Sequence, residues 1–199
     1  MMLIDEAGVP DAALPVTEFT AHLRLGTGFS AETLQEPVLR SFLRAAIAAI
    51  EARTAKALVR RVFALTVQDW AARDAHPLPV APVTGLVSLG FRDRAGTETA
   101  SGLDVVWLAE EAHRPVLRAA GGALPAIPRG QSAVLRFEAG YATAWGELPA
   151  DLGQAVLLLA AHYYEYRDAT SLGGGCMPFG VTSLIERYRA LRLHAGAGR

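Results

Sequence analysis

The fold is decided at residues 39–67, which read LRSFLRAAIAAIEARTAKALVRRVFALTV. In the first half of this stretch, apolar side chains recur at three- and four-residue steps and charged residues fall off that stripe, which predicts a helix. Pro37 suits the first position of the helix, which should run to about Leu58. From Arg60 onward the hydrophobic period changes to two, the pattern of a strand. The stretch therefore joins a long helix to a β region.

A second long helix is predicted downstream. Pro149 stands at a helix start, and apolar residues from Leu152 to Tyr166 recur at helical steps. An apolar face of this size needs a partner, and the stripe of the first helix matches it. Between the two helices, the sequence predicts strands of a small antiparallel sheet. After the strand that begins near Arg60, these lie near residues 83–92, 104–108, 115–118 and 133–139.

Two short helices complete the prediction. One runs from Glu18 to Leu25, and the other follows a possible capping box formed by Ser183 and Glu186. The predicted fold class is therefore α+β, a helical core of two long and two short helices with an inserted small antiparallel β subdomain. We expect an N-terminal tail at 1–13, an N-terminal helical part at 14–59, the β subdomain at 60–140, a long core helix at 141–170, a flexible Gly-rich loop at 171–180, and a C-terminal helix and tail at 181–199.

The composition is that of an ordinary folded protein. Of the 199 residues, 51% are hydrophobic and 20% are charged, and 19 basic against 20 acidic residues leave a net charge of -1. This balance excludes a whole-molecule attraction to nucleic acid or to an anionic membrane. The sequence has no signal-peptide pattern, and its longest apolar run is far below the ~20 residues that span a bilayer. We therefore expect a soluble protein made in the cytoplasm.

Few side chains offer a catalytic or metal site. The five histidines lack zinc-binding spacing, and His162 with Glu165 supplies only one of the two His–carboxylate pairs of a bundle di-iron site. Gly173-Gly-Gly175 is not followed by the Lys-Ser/Thr of a phosphate-binding loop, which favours a hinge. Cys176 has no neighbouring base to activate its thiol. We expect no catalytic residue, metal or cofactor, and the alternative is a small enzyme or nucleic-acid-binding module whose site is not evident.

Five blocks of the sequence share their order and spacing with one protein family. They are Leu14-Pro-Val-Thr with Ala21-His-Leu-Arg-Leu25, the helix from Leu39 to Leu58, Phe137-Glu-Ala-Gly-Tyr141, Leu148-Pro-Ala through Ala160-Ala-His-Tyr-Tyr-Glu165, and Met177-Pro-Phe-Gly180 leading into Leu184 and Arg187-Tyr188-Arg189. Each block alone occurs in many folds, so their order over nearly the whole chain carries the likeness. In these blocks the chain resembles the head–tail connector (adaptor, head-completion) proteins of phages and gene transfer agents.

The resemblance implies a function as well as a fold. Connector subunits form a ring, expected to be dodecameric, on the portal protein, and the ring receives the stopper or tail-terminator protein. DNA passes through the lumen without sequence-specific binding, and a near-neutral charge suits that passage. The implied protein is a structural adaptor, not an enzyme, in the neck of a phage-like particle. Its partners are the portal, the stopper and other copies of itself, with no membrane contact.

Candidate contact residues lie towards the C-terminus. In an arbitrary protein, the arginines found there would form a solvated helix face. The resemblance favours an amphipathic helix that docks on a neighbour or on the portal, with apolar anchors and an arginine rim. The candidate portal or intersubunit contacts are Leu184, Tyr188, Arg189, Leu191, Arg192, Tyr164 and Arg167.

Overall fold

The computed structural model describes residues 1–24, 32–166 and 177–189. Within these ranges the chain forms four α-helices and eight β-strands. The helices are α1 (Val16–His22), α2 (Glu32–Thr54), α3 (Ala150–Glu165) and α4 (Phe179–Ile185). The strands are β1 (Met2–Asp5), β2 (Arg61–Val67), β3 (Ala75–Pro77), β4 (Val83–Arg92), β5 (Glu98–Ser101), β6 (Val106–Ala109), β7 (Val116–Ala119) and β8 (Ser132–Ala139).

The strands form two antiparallel sheets. The larger sheet has the order β1-β2-β8-β4-β5, and the smaller sheet has the order β3-β7-β6. β8 lies at the centre of the larger sheet, where Phe137 faces Phe63 of β2 on one side and Leu135 faces Leu89 of β4 on the other. The described chain is thus a sheet-rich α+β fold. The predicted helical core with a small inserted β subdomain is wrong.

Three short strands explain why the extent of the sheets was underestimated. β1, β3 and β5 contain only three or four residues each, and their sequences MLID, AHP and ETAS show no sustained alternation between apolar and polar residues. β1 also comes from the N-terminal stretch, where no strand was predicted, and pairs with β2, placing Ile4 opposite Ala64. The larger sheet therefore contains a strand that precedes the helices and is not purely an insertion between them. The strands predicted from apolar alternation coincide with β2, β4, β6, β7 and β8.

The two sheets share one hydrophobic core. Phe63 and Phe137 stack inside it with 6.0 Å between their ring centroids. Leu65 of β2 and Leu117 of β7 are completely buried in the same cluster, so both sheets contribute to it. Burial of apolar surface contributes roughly 25 cal/mol per Å². The sheets therefore carry a core of their own, distinct from that of the helices.

The helices form the second core. Phe42 of α2 meets Tyr164 at the end of α3 edge-on, with 6.0 Å between centroids, and the residues that follow α2 pair with those that lead into α3. The two helices are therefore antiparallel. The apolar stripes recognised in the sequence meet here, because Leu43 and Ile47 of α2 are buried in one cluster with Leu152 of α3. α4 packs on α3, and α1 contacts both α2 and α3.

The helix bounds differ from the predictions at several points. α1 begins at Val16, two residues before the predicted start at Glu18. α2 begins at Glu32, and Pro37 lies inside it, where the proline ring removes one backbone hydrogen bond. α2 ends at Thr54 instead of about Leu58, because Ala55 adopts a φ of +56° and leaves the helical conformation. α4 begins at Phe179, ahead of the predicted capping box.

A tight chain crossing joins the helical layer to the sheets. The amide of Arg60 donates to the carbonyl of Ala142 at 2.7 Å, where the chain entering β2 passes the chain leaving β8. Gly140 has a φ of +144°, and a Cβ atom there would lie 2.4 Å from the Cα of Arg60. Only glycine fits this position without moving the neighbouring backbone.

A buried arginine reinforces the same junction. Arg61 opens β2, and its guanidinium binds Glu51 of α2 at 2.7 Å and Asp5 of β1 at 2.6 Å. It also donates to the carbonyl of Val59 at 2.8 Å. A buried cation satisfied on several sides is costly to displace, because any vacated partner is left unpaired. These bonds hold α2 and the larger sheet in a fixed relation.

Candidate assembly surface

Tyr188, one of the predicted contact residues, is held inside its own subunit. It ends the 3-10 turn Glu186–Tyr188 after α4 and is only 7% exposed. Its hydroxyl donates to Asp151 of α3 at 2.7 Å and accepts from Arg187, while its ring meets Tyr141 edge-on at 5.8 Å. Burial raises the pKa of Tyr188, so the hydroxyl keeps its proton at neutral pH. Tyr188 thereby fastens the end of α4 to the start of α3.

The other predicted contact residues differ in how much of their side chain is exposed to a possible partner. Leu184 of α4 is half-buried against the helical core, whereas Arg189 is exposed and pairs with Glu186 at 3.1 Å. Tyr164 is half-buried at the end of α3 against Phe42. Their roles in contact stay predictions. Outside the described residues lie Leu191, Arg192, Arg167, Cys176 and the glycines of Gly173-Gly-Gly175.

Sequence reasoning missed Phe179. This residue begins α4 and is 87% exposed, more than any other large apolar residue in the described ranges. Helical geometry offered the signal, because α4 buries Val181 and Ile185, and a residue two positions before Val181 is rotated by about 200° to the opposite face. Tyr166, just beyond α3, and Val38 of α2 are also exposed in this helical part. Single exposed apolar residues are common on protein surfaces, so it is the near-complete exposure of an aromatic ring that sets Phe179 apart.

A groove separates α2 from the N-terminal segment. Asp11 accepts hydrogen bonds from Arg40 and Arg44 of α2, and Arg40 also binds Glu36 one turn earlier. Arg44 additionally donates to the carbonyl of Val9, so the N-terminal segment is pinned along the helix. The groove has a volume of about 420 Å³, and its lining residues are Asp11, Glu36, Pro37, Arg40, Ser41 and Arg44.

The sheet part exposes apolar side chains of its own. Trp107 of β6 is about half exposed beside Arg118 of β7. Val87 is similarly exposed at an irregularity in the pairing of β4 with β8. Met2 and Ile4 are exposed on β1, at an edge of the larger sheet. These residues lie on different strands, and single exposed apolar side chains are common on protein surfaces.

An ion network crosses the larger sheet. Arg136 of β8 binds Glu98 of β5 at 2.8 Å and Glu6, just after β1, at 2.9 Å. Arg92 of β4 binds the same carboxylate of Glu98. Hydrogen bonds from Arg136 and Arg92 lower the pKa of Glu98 to about 2, so this carboxylate stays charged well into the acid range. The network ties strands at both edges of the sheet to its centre.

Side chains that could bind a metal ion do not cluster in the described residues. Within them, no group of three His, Cys, Asp or Glu side chains could hold a metal ion. The ring of His162 lies 4.7 Å from that of Tyr166. His76 is buried, accepts from the amide of Ala71 at Nδ1, and has its pKa lowered by burial. In the part of the chain that the structure covers, no helix combines the length and apolarity needed to cross a bilayer.

Solved structures contain close relatives of this chain, although no family model and no curated protein matches it. A chain in the neck of an empty gene transfer agent particle, computed with C6 symmetry, is 47% identical with a TM-score of 0.88, and all of both chains is covered. A chain in the virion of the native gene transfer agent particle is 47% identical with a TM-score of 0.84, covering 98% of this chain and 99% of that one. In the neck of the native particle, computed with C12 symmetry, a chain is 44% identical with a TM-score of 0.81, again over all of both chains.

These relatives extend over the whole length of the chain, and their identity is high enough to show common family and not fold alone. They come from the kind of particle that the sequence resemblance names. The chain belongs to the head–tail connector (adaptor) family of gene transfer agents, and the resemblance is confirmed.

Proposed function

We propose that this chain is the adaptor subunit that forms a ring between the portal of a phage-like capsid and the stopper or tail. The observation that carries the proposal is full-length likeness, at 44–47% identity, to chains in gene transfer agent necks and virions. A structural role in such a neck follows from these relatives. The C6 and C12 symmetries used for the two necks are compatible with a ring of twelve copies.

The mechanism is geometric. A cyclic ring repeats one heterologous interface between each pair of neighbours and leaves no free ends, so many modest contacts give a durable collar. The subunit suits this role because the Gly140 crossing and the bonds of Arg61 to Glu51 and Asp5 make it a rigid block. In the proposed arrangement, the helices build the ring wall. The sheets project outward or towards the next tail component.

The charge of the chain suits passage of DNA through the lumen. The net charge is -1, so the subunit as a whole does not attract phosphate. Many arginines are already paired, among them Arg40 and Arg44 with Asp11, and Arg92 and Arg136 with Glu98. A paired arginine releases fewer counterions on meeting DNA, which weakens binding. In the proposed passage, DNA makes no sequence-specific contacts with the ring. The proposed role of the protein is structural and not catalytic.

The portal contact is proposed for the C-terminal region. Leu184 and Arg189 lie on or beside α4, and Leu191 and Arg192 follow them in the sequence. Tyr164 lies at the end of α3, and Arg167 is two residues beyond that helix in the sequence. Arginine and partly buried apolar groups are the residue types that dominate protein interfaces. Tyr188 contributes by fixing α4 on α3, which presents the outer face of α4 to a partner.

Particles made without this chain test the adaptor role. Electron microscopy should show capsids that fill but acquire no tails or lose their DNA, and the intact chain should restore tailed particles. Tailed, DNA-filled particles made in the absence of this chain would refute the adaptor role.

A truncation after Arg189 tests the C-terminal contact. It keeps Tyr188 and the helical core, so its thermal midpoint should match that of the intact chain, yet it should not enter necks. Val87→Ala, which trims an exposed residue of the sheet part, is the control and should assemble normally. Normal assembly of the truncated chain would refute the contact of Leu191 and Arg192.

A further inference from the structure

Phe179 is placed as a projecting anchor. Its helix α4 buries Val181 and Ile185 completely, so the helix is held by its opposite face and does not need Phe179 for packing. An aromatic ring that is 87% exposed has nearly its whole apolar surface left to bury. Aromatic residues in this state are the side chains most often found as interface anchors.

The groove on α2 has the chemistry to receive such a ring. Pro37 and Ser41 supply a small, partly apolar floor, and the guanidinium groups of Arg40 and Arg44 stand along it. Both arginines are fixed by ion pairs with Asp11, so a ring can stack on them without first ordering them. Stacking of an arginine on an aromatic face is favourable at protein surfaces. A space of about 420 Å³ accommodates one such ring.

Phe179 and the groove belong to two different helices, α4 and α2, which both pack on α3. α4 packs on α3, α3 packs on α2, and the groove lies beyond α2 against the N-terminal segment. Tyr188 at the end of α4 contacts Asp151 at the start of α3, so Phe179 is towards the other end of α3. That end is where α3 meets the middle of antiparallel α2, next to the groove. Anchor and groove therefore occupy the same half of the layer.

This arrangement is what a cyclic ring requires. Neighbouring copies in a ring present two different surfaces to each other, at matching heights along the ring axis. We propose that Phe179 of one copy inserts into the α2 groove of the next copy, between Pro37, Ser41 and the paired arginines. The proposal rests on the ring of the proposed function and names one of its contacts. The cyclic symmetry of the related necks favours a second copy of this chain as the occupant.

Cysteine cross-linking tests the contact directly. In a Cys176→Ala background, Phe179→Cys is combined with Ser41→Cys, and assembled particles are treated with a bismaleimide whose spacer is about as long as a phenylalanine side chain, then run on a denaturing gel. The expected result is a ladder of subunit multimers, whereas direct oxidation should give little, because the inserted ring keeps the two Cα atoms beyond the roughly 4.4–6.8 Å that a disulfide spans. Phe179→Cys combined with Val87→Cys, on the sheet part, is the matched control and should give no ladder.

Phe179→Ala adds a measurement that needs no cysteine. Its thermal midpoint should equal that of the intact chain, because the ring makes few contacts within the subunit. Incorporation into necks should fall on the order of tenfold, from the apolar surface no longer buried, and Phe179→Trp should restore it.

Two outcomes would overturn the inference while leaving the adaptor role standing. One is a neck ring, visible by electron microscopy, in which the Phe179 and Ser41 cysteines give no ladder and Phe179→Ala assembles normally. The other is a cross-link from position 179 to a different particle protein. Failure of the proposed function would look different, since the intact chain itself would then be absent from necks.

Discussion

Replacing Tyr188 by alanine tests whether the end of α4 belongs to the core of its own subunit. The ring is 7% exposed and packs edge-on against Tyr141, and loss of a buried aromatic ring costs about 3 kcal/mol. The hydroxyl donates to the carboxylate of Asp151, which adds about 1 kcal/mol. Tyr188→Ala should therefore lower the free energy of unfolding by about 4 kcal/mol, or the thermal midpoint by roughly 8–16 °C for a chain of this size. Tyr188→Phe should lose only the hydroxyl contribution, a fall of roughly 2–4 °C.

The assay is urea and thermal unfolding of purified subunits followed by circular dichroism. Ser183→Ala, at an exposed position of α4, is the control and should match the intact chain. A double-mutant cycle of Tyr188→Phe with Asp151→Ala should give a coupling energy of about 1 kcal/mol if the hydrogen bond forms in solution. A loss below about 1 kcal/mol for Tyr188→Ala would refute the reasoning, because a ring this well packed costs more to remove. The end of α4 would then be free, and Tyr188 would be available to a partner.

Three further predictions concern the junction and two charged groups. Gly140→Ala should cost about 3 kcal/mol or more, because its Cβ would lie 2.4 Å from Arg60, whereas Gly146→Ala has open space and should change the unfolding midpoint little. Because the pKa of Glu98 is lowered to about 2, its ionised carboxylate contributes fully to the free energy of unfolding above the ordinary pKa of 4.5. This contribution is lost as pH falls towards 2. In Glu98→Gln, urea titrations should show a smaller decrease of the free energy of unfolding over this pH range. Burial lowers the pKa of Lys56 from 10.5 to about 8, so between these two pH values the unfolded chain binds more protons than the folded chain. The free energy of unfolding should therefore rise between pH 8 and pH 10.5. Lys56→Met should abolish this rise in the same titrations.

The elements that could be predicted from the sequence are those whose own residues carry the signal. β2, β4 and β8 are long enough to show apolar alternation, and α2 and α3 carry full apolar stripes. β5 shows no such pattern, because Glu98–Ser101 is held by pairing with β4 and by the bond of Glu98 to Arg136. β1 likewise depends on a partner far along the chain. Short strands set by their neighbours are therefore where the predicted fold class failed.

The surface residues also differ in whether their positions could be predicted from the local sequence. Phe179 was missed because the predicted helix began after it and left it in the Gly-rich loop; once α4 is known to begin at Phe179, helical spacing places this residue opposite the buried face. The burial of Tyr188 could not have been predicted, because it depends on Asp151, which is 37 residues away in the sequence. The groove on α2 likewise needs Asp11 to meet Arg40, 29 residues further along. Long-range pairs of this kind arise only when the fold is complete.

The larger sheet leaves both of its edges, β1 and β5, without a strand partner within the described residues. Such edges invite hydrogen bonding between molecules and, in a crowded assembly, growth of an unlimited β ribbon. Adjacent strands rotate by about 20–25°, so the four steps from β1 to β5 turn one edge roughly 80–100° away from the other. In the proposed ring of twelve copies, neighbours turn by about 30° about the ring axis, which does not match the angle between the two edges. In that ring the twist of the sheet opposes edge-to-edge pairing of neighbouring copies, and side-chain contacts hold the copies together.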